Sequence, residues 1–278
     1  TGLSLYQDRV IFRNEHTGSI ANSDLSSCDN NTGANCSDTE IGFTSDIGAL
    51  TTSSGRELHI WTGDTFDPGG TVATNGTGGD FHVDDSAVAY FDTATSSVGR
   101  DILVDGAATL HIDVSLTVTG GDITTSGTSA TITYTGTPKV TMSGGTGSIG
   151  GGTTPTLAFY NLEVSVSTTI SLVSPASVAI DLRVIGGASA VVNINADLTV
   201  GNDITMSGGA IITTTAGTPT VTLTCTDNAC GLGTSGQTGT FIIYNLTTSG
   251  TGTTTLNRGL TVSGSLAVGS GTTLTTAN

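Results

Sequence analysis

Leu116-Thr-Val-Thr-Gly-Gly-Asp-Ile-Thr124 and Leu198-Thr-Val-Gly-Asn-Asp-Ile-Thr205 are two copies of one phrase. Each is a short β-branched run, a corner built on Gly or Asn, an Asp, and the start of a second run. Two more pairs keep nearly the same spacing. Gly136-Thr-Pro-Lys-Val-Thr matches Gly217-Thr-Pro-Thr-Val-Thr, and Tyr160-Asn-Leu matches Tyr244-Asn-Leu, so the offsets are 82 or 81 for the first two pairs and 84 for the last. The drift falls between Pro219 and Tyr244, the interval that holds Cys225 and Cys230. That cysteine loop therefore lies in or near a small insertion on a repeating frame.

Outward from these phrases, blocks such as Ala130–Tyr134, Leu157–Val164, Val178–Val184 and Thr240–Leu246 alternate apolar with polar residues between Gly, Ser, Asn or Asp. This is the strand signature, and no stretch keeps a 3.6-residue apolar period. An ~82-residue unit holding several short strands is a group of coils; at roughly 18–25 residues per turn it makes three or four turns of a β-solenoid, and the whole chain roughly ten to twelve. A single coil cannot bury its apolar face, whereas stacked coils bury a continuous core and pair every strand N–H and C=O with the turns above and below. Gly and Asn supply the corners, and Thr suits the outer face. The Asp before Ile or Phe (Asp80, Asp101, Asp122, Asp203) suits a carboxylate that caps a turn by accepting from backbone N–H groups.

The composition narrows function by exclusion. The 278 residues weigh only 27.6 kDa because Thr (55) and Gly (40) make up about a third of them. One lysine, Lys139, and six arginines face 23 acids, for a net charge of −16. Phosphate neutralisation needs Lys/Arg clusters, so no nucleic-acid partner is expected. No apolar run approaches the ~20 residues of a membrane helix, so no membrane insertion is expected. With 5% aromatic residues the core must be aliphatic.

Residues 1–56 read differently, as an N-terminal β cap or subunit-contact segment before a solenoid over 57–278. Leu3–Arg13 reads as one strand, and Leu3, Leu5, Val10 and Phe12 are its subunit-contact candidates. An unprotected solenoid edge invites aggregation, which a cap prevents. No cap is visible at the other end, so that edge is left for another chain or for further residues. The chain starts at Thr1 without a signal-peptide pattern; it is either processed or a fragment.

The cysteines form two close pairs, Cys28 with Cys36 and Cys225 with Cys230, each across a polar, turn-forming interval. Two local disulfides are the leading reading, with metal ligation or free thiols as alternatives. Disulfides and a Lys-poor acidic surface both point to a secreted, extracellular protein. Calcium is the one cofactor candidate: Asp29, Asn31, Asn35 and Glu40 span the length of an EF-hand loop, although Gly33 is misplaced for its turn, and turn-capping acids are the plainer reading.

His59, His82 and His111 each sit between apolar neighbours, 23 and 29 residues apart, near one coil length. They are expected to stack in one column, with Asp84 and Asp113 alongside, an arrangement able to hold a divalent ion or to be a plain solvent-facing ladder. No catalytic residue is assigned. A glycan-binding or glycan-cleaving β-helix is the alternative function; it requires a cleft gathering Asp84, Asp85 and Asp101 with Trp61 and Tyr90.

The runs Phe159-Tyr-Asn-Leu, Leu198-Thr-Val, Gly217-Thr-Pro-Thr-Val-Thr, Ile243-Tyr-Asn-Leu-Thr and Leu260-Thr-Val-Ser-Gly-Ser-Leu-Ala-Val resemble bacterial surface proteins. Those carry Thr/Gly-rich β-solenoid repeats of the filamentous-haemagglutinin or autotransporter-adhesin kind, and are similar to giant surface proteins of candidate-phyla bacteria. The resemblance covers roughly 57–278; Leu58-His-Ile-Trp-Thr-Gly-Asp is similar to the lead-in before such repeats. It implies a right-handed parallel β-helix at the cell surface and transfers no catalytic residue. The expected function is structural or adhesive: a segment of a cell-surface rod, or a filament subunit that self-associates head to tail by strand stacking or strand addition, with surface glycans as possible ligands.

Overall fold

Short alternating blocks with glycine corners bury their apolar side only by stacking on blocks of the same kind. The computed structural model describes residues 57–277 apart from 61, 64, 69, 75, 77, 78, 166, 187, 188 and 228, and, within 1–56, the backbone of strands at 3–6, 9–12, 39–41 and 50–51. Among the described residues there is no helix, and parallel strands wind into a β-solenoid of about ten turns. The chain divides into two compact units, Thr1–Pro138 with Gly151–Thr156, and Lys139–Gly150 with Leu157–Asn278.

In the first unit each turn contributes one strand to each of three faces. The first face stacks Leu58–Ile60, Phe81–Val83, Ile102–Val104 and Ile123–Thr125 in parallel. Leu58 pairs with Phe81, Phe81 with Ile102 and Ile102 with Ile123, steps of 23, 21 and 21 residues. The second face stacks Thr65–Phe66, Val88–Phe91, Thr109–Ile112 and Thr131–Thr133. The third stacks Leu50–Thr51, Val72–Ala73, Ser96–Val98 and Leu116–Val118.

The alternation of the sequence becomes the wall of the solenoid. Leu58, Phe81, Ile102 and Ile123 form one fully buried column, and Phe66, Phe81 and Phe91 cluster with ring centroids 5.9 and 4.7 Å apart. Each fully buried side chain of this size stabilises by about 1.5–3 kcal/mol. Between the first and second faces the chain turns through left-handed residues: Ser86 at φ 63°, Gly106 at 59°, Gly127 at 80°. A Cβ on Gly127 would lie 2.8 Å from the Gly106 Cα, so that corner is closed to larger residues.

The expected single strand Leu3–Arg13 is two strands. Leu3–Tyr6 runs antiparallel to Arg9–Phe12, with Leu3 opposite Phe12 and Leu5 opposite Val10. The polar Gln7-Asp8 pair interrupts the apolar run, and an antiparallel return needs only two residues. All four subunit-contact candidates are thus register partners of one another within the chain. Arg9–Phe12 then pairs in parallel with Thr39–Ile41, which pairs with Leu58–Ile60.

The second unit repeats the plan. Leu162, Leu182, Ile204 and Leu232 form a buried column in register. In its last turn Leu266 pairs with Leu246 and Val268 with Thr248. Leu246 and Thr248 are buried, whereas Leu266 and Val268 are 52% and 47% exposed.

The matching sequence phrases are not a whole number of turns apart. Leu116–Val118 and Leu198–Val200 are the thirteenth and twenty-fourth strands in chain order. Lys139–Met142 and Thr220–Leu223, and Asn161–Val164 and Asn245–Thr248, are likewise eleven strands apart. The repeat is therefore a repeat of strand and corner, not of complete turns.

Candidate functional site

A residue between two inward-facing apolar neighbours on a strand points outward. His59, between Leu58 and Ile60, and His82, between Phe81 and Val83, obey this rule and are register partners. Their imidazoles stack with centroids 4.2 Å apart and planes 17° from parallel. Carboxylates from adjoining turns surround the stack. His82 Nδ1 lies 3.0 Å from Glu57 Oε1, and His82 Nε2 lies 2.8 Å from Asp105 Oδ2. His59 Nε2 lies 3.9 Å from Asp84 Oδ2. Asp84 in turn accepts from the Thr62 hydroxyl at 2.7 Å and from the Asp85 N–H at 2.9 Å.

The electrostatics follow from these contacts. Burial pushes the His82 pKa down, but the hydrogen bonds its ring donates to Glu57 and Asp105 outweigh it and lift the group to about 8. Burial and the neighbouring His82 hold His59 below its ordinary value against the pull of the three carboxylates. For Asp84 burial acts upward; the Thr62 and Asp85 hydrogen bonds and the two histidines win, and its pKa is lowered. Ligand atoms of Glu57, His59 and His82 lie within 4.8 Å of one another, as do those of His82, Asp84 and Asp105.

His111 does not join this column. It sits on the second face, in register with Tyr90, and the two rings stack at 4.5 Å and 5°. Turns here take 21 to 23 residues, so a spacing of 29 reaches past one turn onto the next face. Asp113 instead accepts from the Thr135 N–H.

The other expected acids are spread over separate corners. Asp85 accepts from the Ala107 N–H at 2.7 Å. Asp101 precedes strand Ile102–Val104, whereas Asp84 and Asp85 follow strand Phe81–Val83, so they occupy opposite ends of the first face. Asp101 accepts from the Asp122 N–H at 2.8 Å and forms an ion pair with Arg100, whose Nε lies 2.9 Å from its Oδ2. Tyr90 is on the second face, and Trp61 lies outside the described residues. Of the Asp residues before Ile or Phe, Asp80, Asp101 and Asp203 do accept from backbone N–H groups, but from those of the following turn and not from nearby in the chain. The Asp101 N–H donates to Asp80 at 3.1 Å, the Asp203 N–H to Asp181 at 3.2 Å, and the Gly231 N–H to Asp203 at 2.6 Å. Each carboxylate ties its own turn to the next. Burial raises the pKa of Asp101 and of Asp203 despite these bonds.

Cys225 and Cys230 are disulfide-bonded, with Cα atoms 5.4 Å apart. Cys28, Cys36, Asp29, Asn31 and Asn35 lie outside the described residues; Glu40 is on strand Thr39–Ile41, at the register position beside His59. Two groupings escaped the sequence reading. Glu57 and Asp105 meet His82 from one turn to either side, 25 and 23 residues away. Lys139 Nζ lies 3.1 Å from Glu163 Oε1, and Arg183 Nε 3.9 Å from its Oε2, over a carboxylate side chain only 8% exposed. A turn step of 21, read from Asp84 to Asp105, was the available signal for the first.

No protein-family model, no curated protein and no solved structure matches the chain.

Proposed function

We propose that the chain is a structural segment of a cell-surface rod or a subunit of an extracellular filament, of the Thr/Gly-rich surface-protein kind that its repeats resemble. The observation that carries this reading is the last turn. Leu266 and Val268 occupy columns that are buried one turn earlier, yet they stand 52% and 47% exposed on a strand that pairs on one side, with Asn245–Thr248. One more turn in the same register, from a second copy or from chain that follows, covers them and continues the ladder. The disulfide and the net charge of −16 support an extracellular setting. The role is mechanical: strand ladders on every face, with corner carboxylates bridging successive turns, resist local opening.

Light scattering and negative-stain electron microscopy over a rising concentration series test the filament form. End-to-end association is expected, and Leu266→Asp with Val268→Asp should abolish it by placing charge where a turn must dock. A chain that stays monomeric throughout overturns the self-assembling version. The glycan-cleaving alternative gains no support from acids that cap separate turns.

A further inference from the structure

We propose that the His59–His82 stack and the carboxylates beside it form a binding site for one borderline divalent metal ion, zinc being the best fit. The donors come from three successive turns: His59 from one, His82 and Asp84 from the next, and Asp105 from the third. His82, Asp84 and Asp105 already hold their ligand atoms within 4.8 Å of one another, and His59 Nε2 stands 3.9 Å from Asp84 Oδ2. Two imidazoles and two carboxylates make up the donor set of a tetrahedral zinc site. Calcium is a poor match, because it takes six to eight oxygen ligands.

Glu57 gives the site its orientation. Its Oε1 lies 3.0 Å from His82 Nδ1, so it accepts the Nδ1 proton and leaves the Nε2 lone pair facing Asp84 and Asp105. A carboxylate behind a ligating histidine fixes the tautomer and the ring angle in this manner. Without metal, the 2.8 Å contact between His82 Nε2 and Asp105 holds a proton. Zinc replaces that proton, which leaves to solvent, and the ion bonds to Nε2 and to the carboxylate oxygen. Bonds of about 2.0–2.2 Å need the two half-buried aspartates to rotate and the stacked imidazoles to tilt apart, since each ring nitrogen donates in the plane of its own ring. The charges agree: Glu57, Asp84 and Asp105 put three carboxylates around two imidazoles, and Arg100, the nearby cation, is held by Asp80 and Asp101. Because the ligands span three turns, the ion clips those turns together, and its binding is coupled to their folding.

The experiment is a zinc titration of the metal-stripped, untagged chain by calorimetry, with disulfides oxidised and free thiols alkylated. A cobalt(II) absorption spectrum is recorded alongside. One ion per chain and a tetrahedral cobalt band in the visible are expected. His82→Ala should remove stoichiometric binding, and Asp105→Asn should weaken it. Glu57→Gln, which keeps every ligand, should weaken it about 10–100-fold. Excess calcium should not displace zinc. If His82→Ala loses the fold by circular dichroism, Asp84→Asn, at a half-buried corner, reads the same loss. Binding that is absent, that survives intact in the His59→Ala/His82→Ala double variant, or that calcium displaces overturns the proposal. The filament reading stands or falls separately, since it rests on the last turn.

Discussion

His82, held between Glu57 and Asp105, carries a proton that the folded chain binds more tightly than the unfolded chain does. Its folded pKa of about 8 exceeds the ordinary value of 6.5. The stability this supplies is therefore complete below about pH 6.5 and is lost as the pH rises through about 8. Facing it, His59 is shifted the other way, its pKa lowered by burial and by the neighbouring His82, and the Asp84 pKa is also lowered. In EDTA, the melting temperature should fall between pH 6.5 and 8.5, and His82→Gln should flatten that fall; an unchanged slope in the variant assigns the loss elsewhere. Glycine offers a second test at this scale. Gly127→Ala forces a side chain into a left-handed residue with a backbone carbon 2.8 Å away. It should cost about 1–3 kcal/mol in urea unfolding. Gly63→Ala has a similar φ of 78° but nothing within 4 Å, and should cost only about 1 kcal/mol.

Corners and strands set the next scale. Asp203 accepts from the Gly231 N–H, yet burial raises its pKa, so its negative charge opposes folding once the pH exceeds the usual carboxylate range. Asp203→Asn keeps the accepting oxygen and removes the charge. It should match or raise the melting temperature at pH 7, an advantage that disappears below about pH 4 where Asp203 itself is protonated. Asp203→Ala removes the acceptor as well and should lose about 1–3 kcal/mol. The chain already uses Asn in this way: Asn161 accepts from the Asp181 N–H. That an Asp before a strand accepts from backbone N–H groups was legible in the sequence; that the donors belong to the following turn, 21 to 28 residues on, was not. The His59–His82 pair was legible because 23 residues is one turn. His111 was misplaced because 29 residues overshoots a turn of 21 to 23 by about a strand and its corner, which carries it onto the next face. Glu57 and Asp105 were missed because they lie at the strand ends one turn before and one turn after His82, and that placement depends on the exact length of each turn. The split of Leu3–Arg13 into two strands turned on reading Gln7-Asp8 as an interruption.

Across the whole molecule, each turn is supported by its neighbours, so stability varies with position along the stack. Within the second unit, amides of Leu266–Val268 and Thr273–Thr276 should exchange hydrogen faster than those of Leu198–Val200 and Ile204–Met206. Raising the protein concentration should slow the former alone if copies dock there; equal protection of both pairs at low concentration would show that the last turn is closed. The all-β stacked architecture was plain from alternation, glycine corners and repetition. The count of strands between repeats was not, because a phrase of one strand and one corner fits any face. That count has a geometric consequence. In any run that keeps three strands per turn, duplicating eleven strands advances a motif by three turns and two thirds. Successive duplicates then present the same phrase on each side in rotation and return to the starting side after three copies. A decoration encoded once per duplication would wind around such a stack as a spiral, giving it no front and no back.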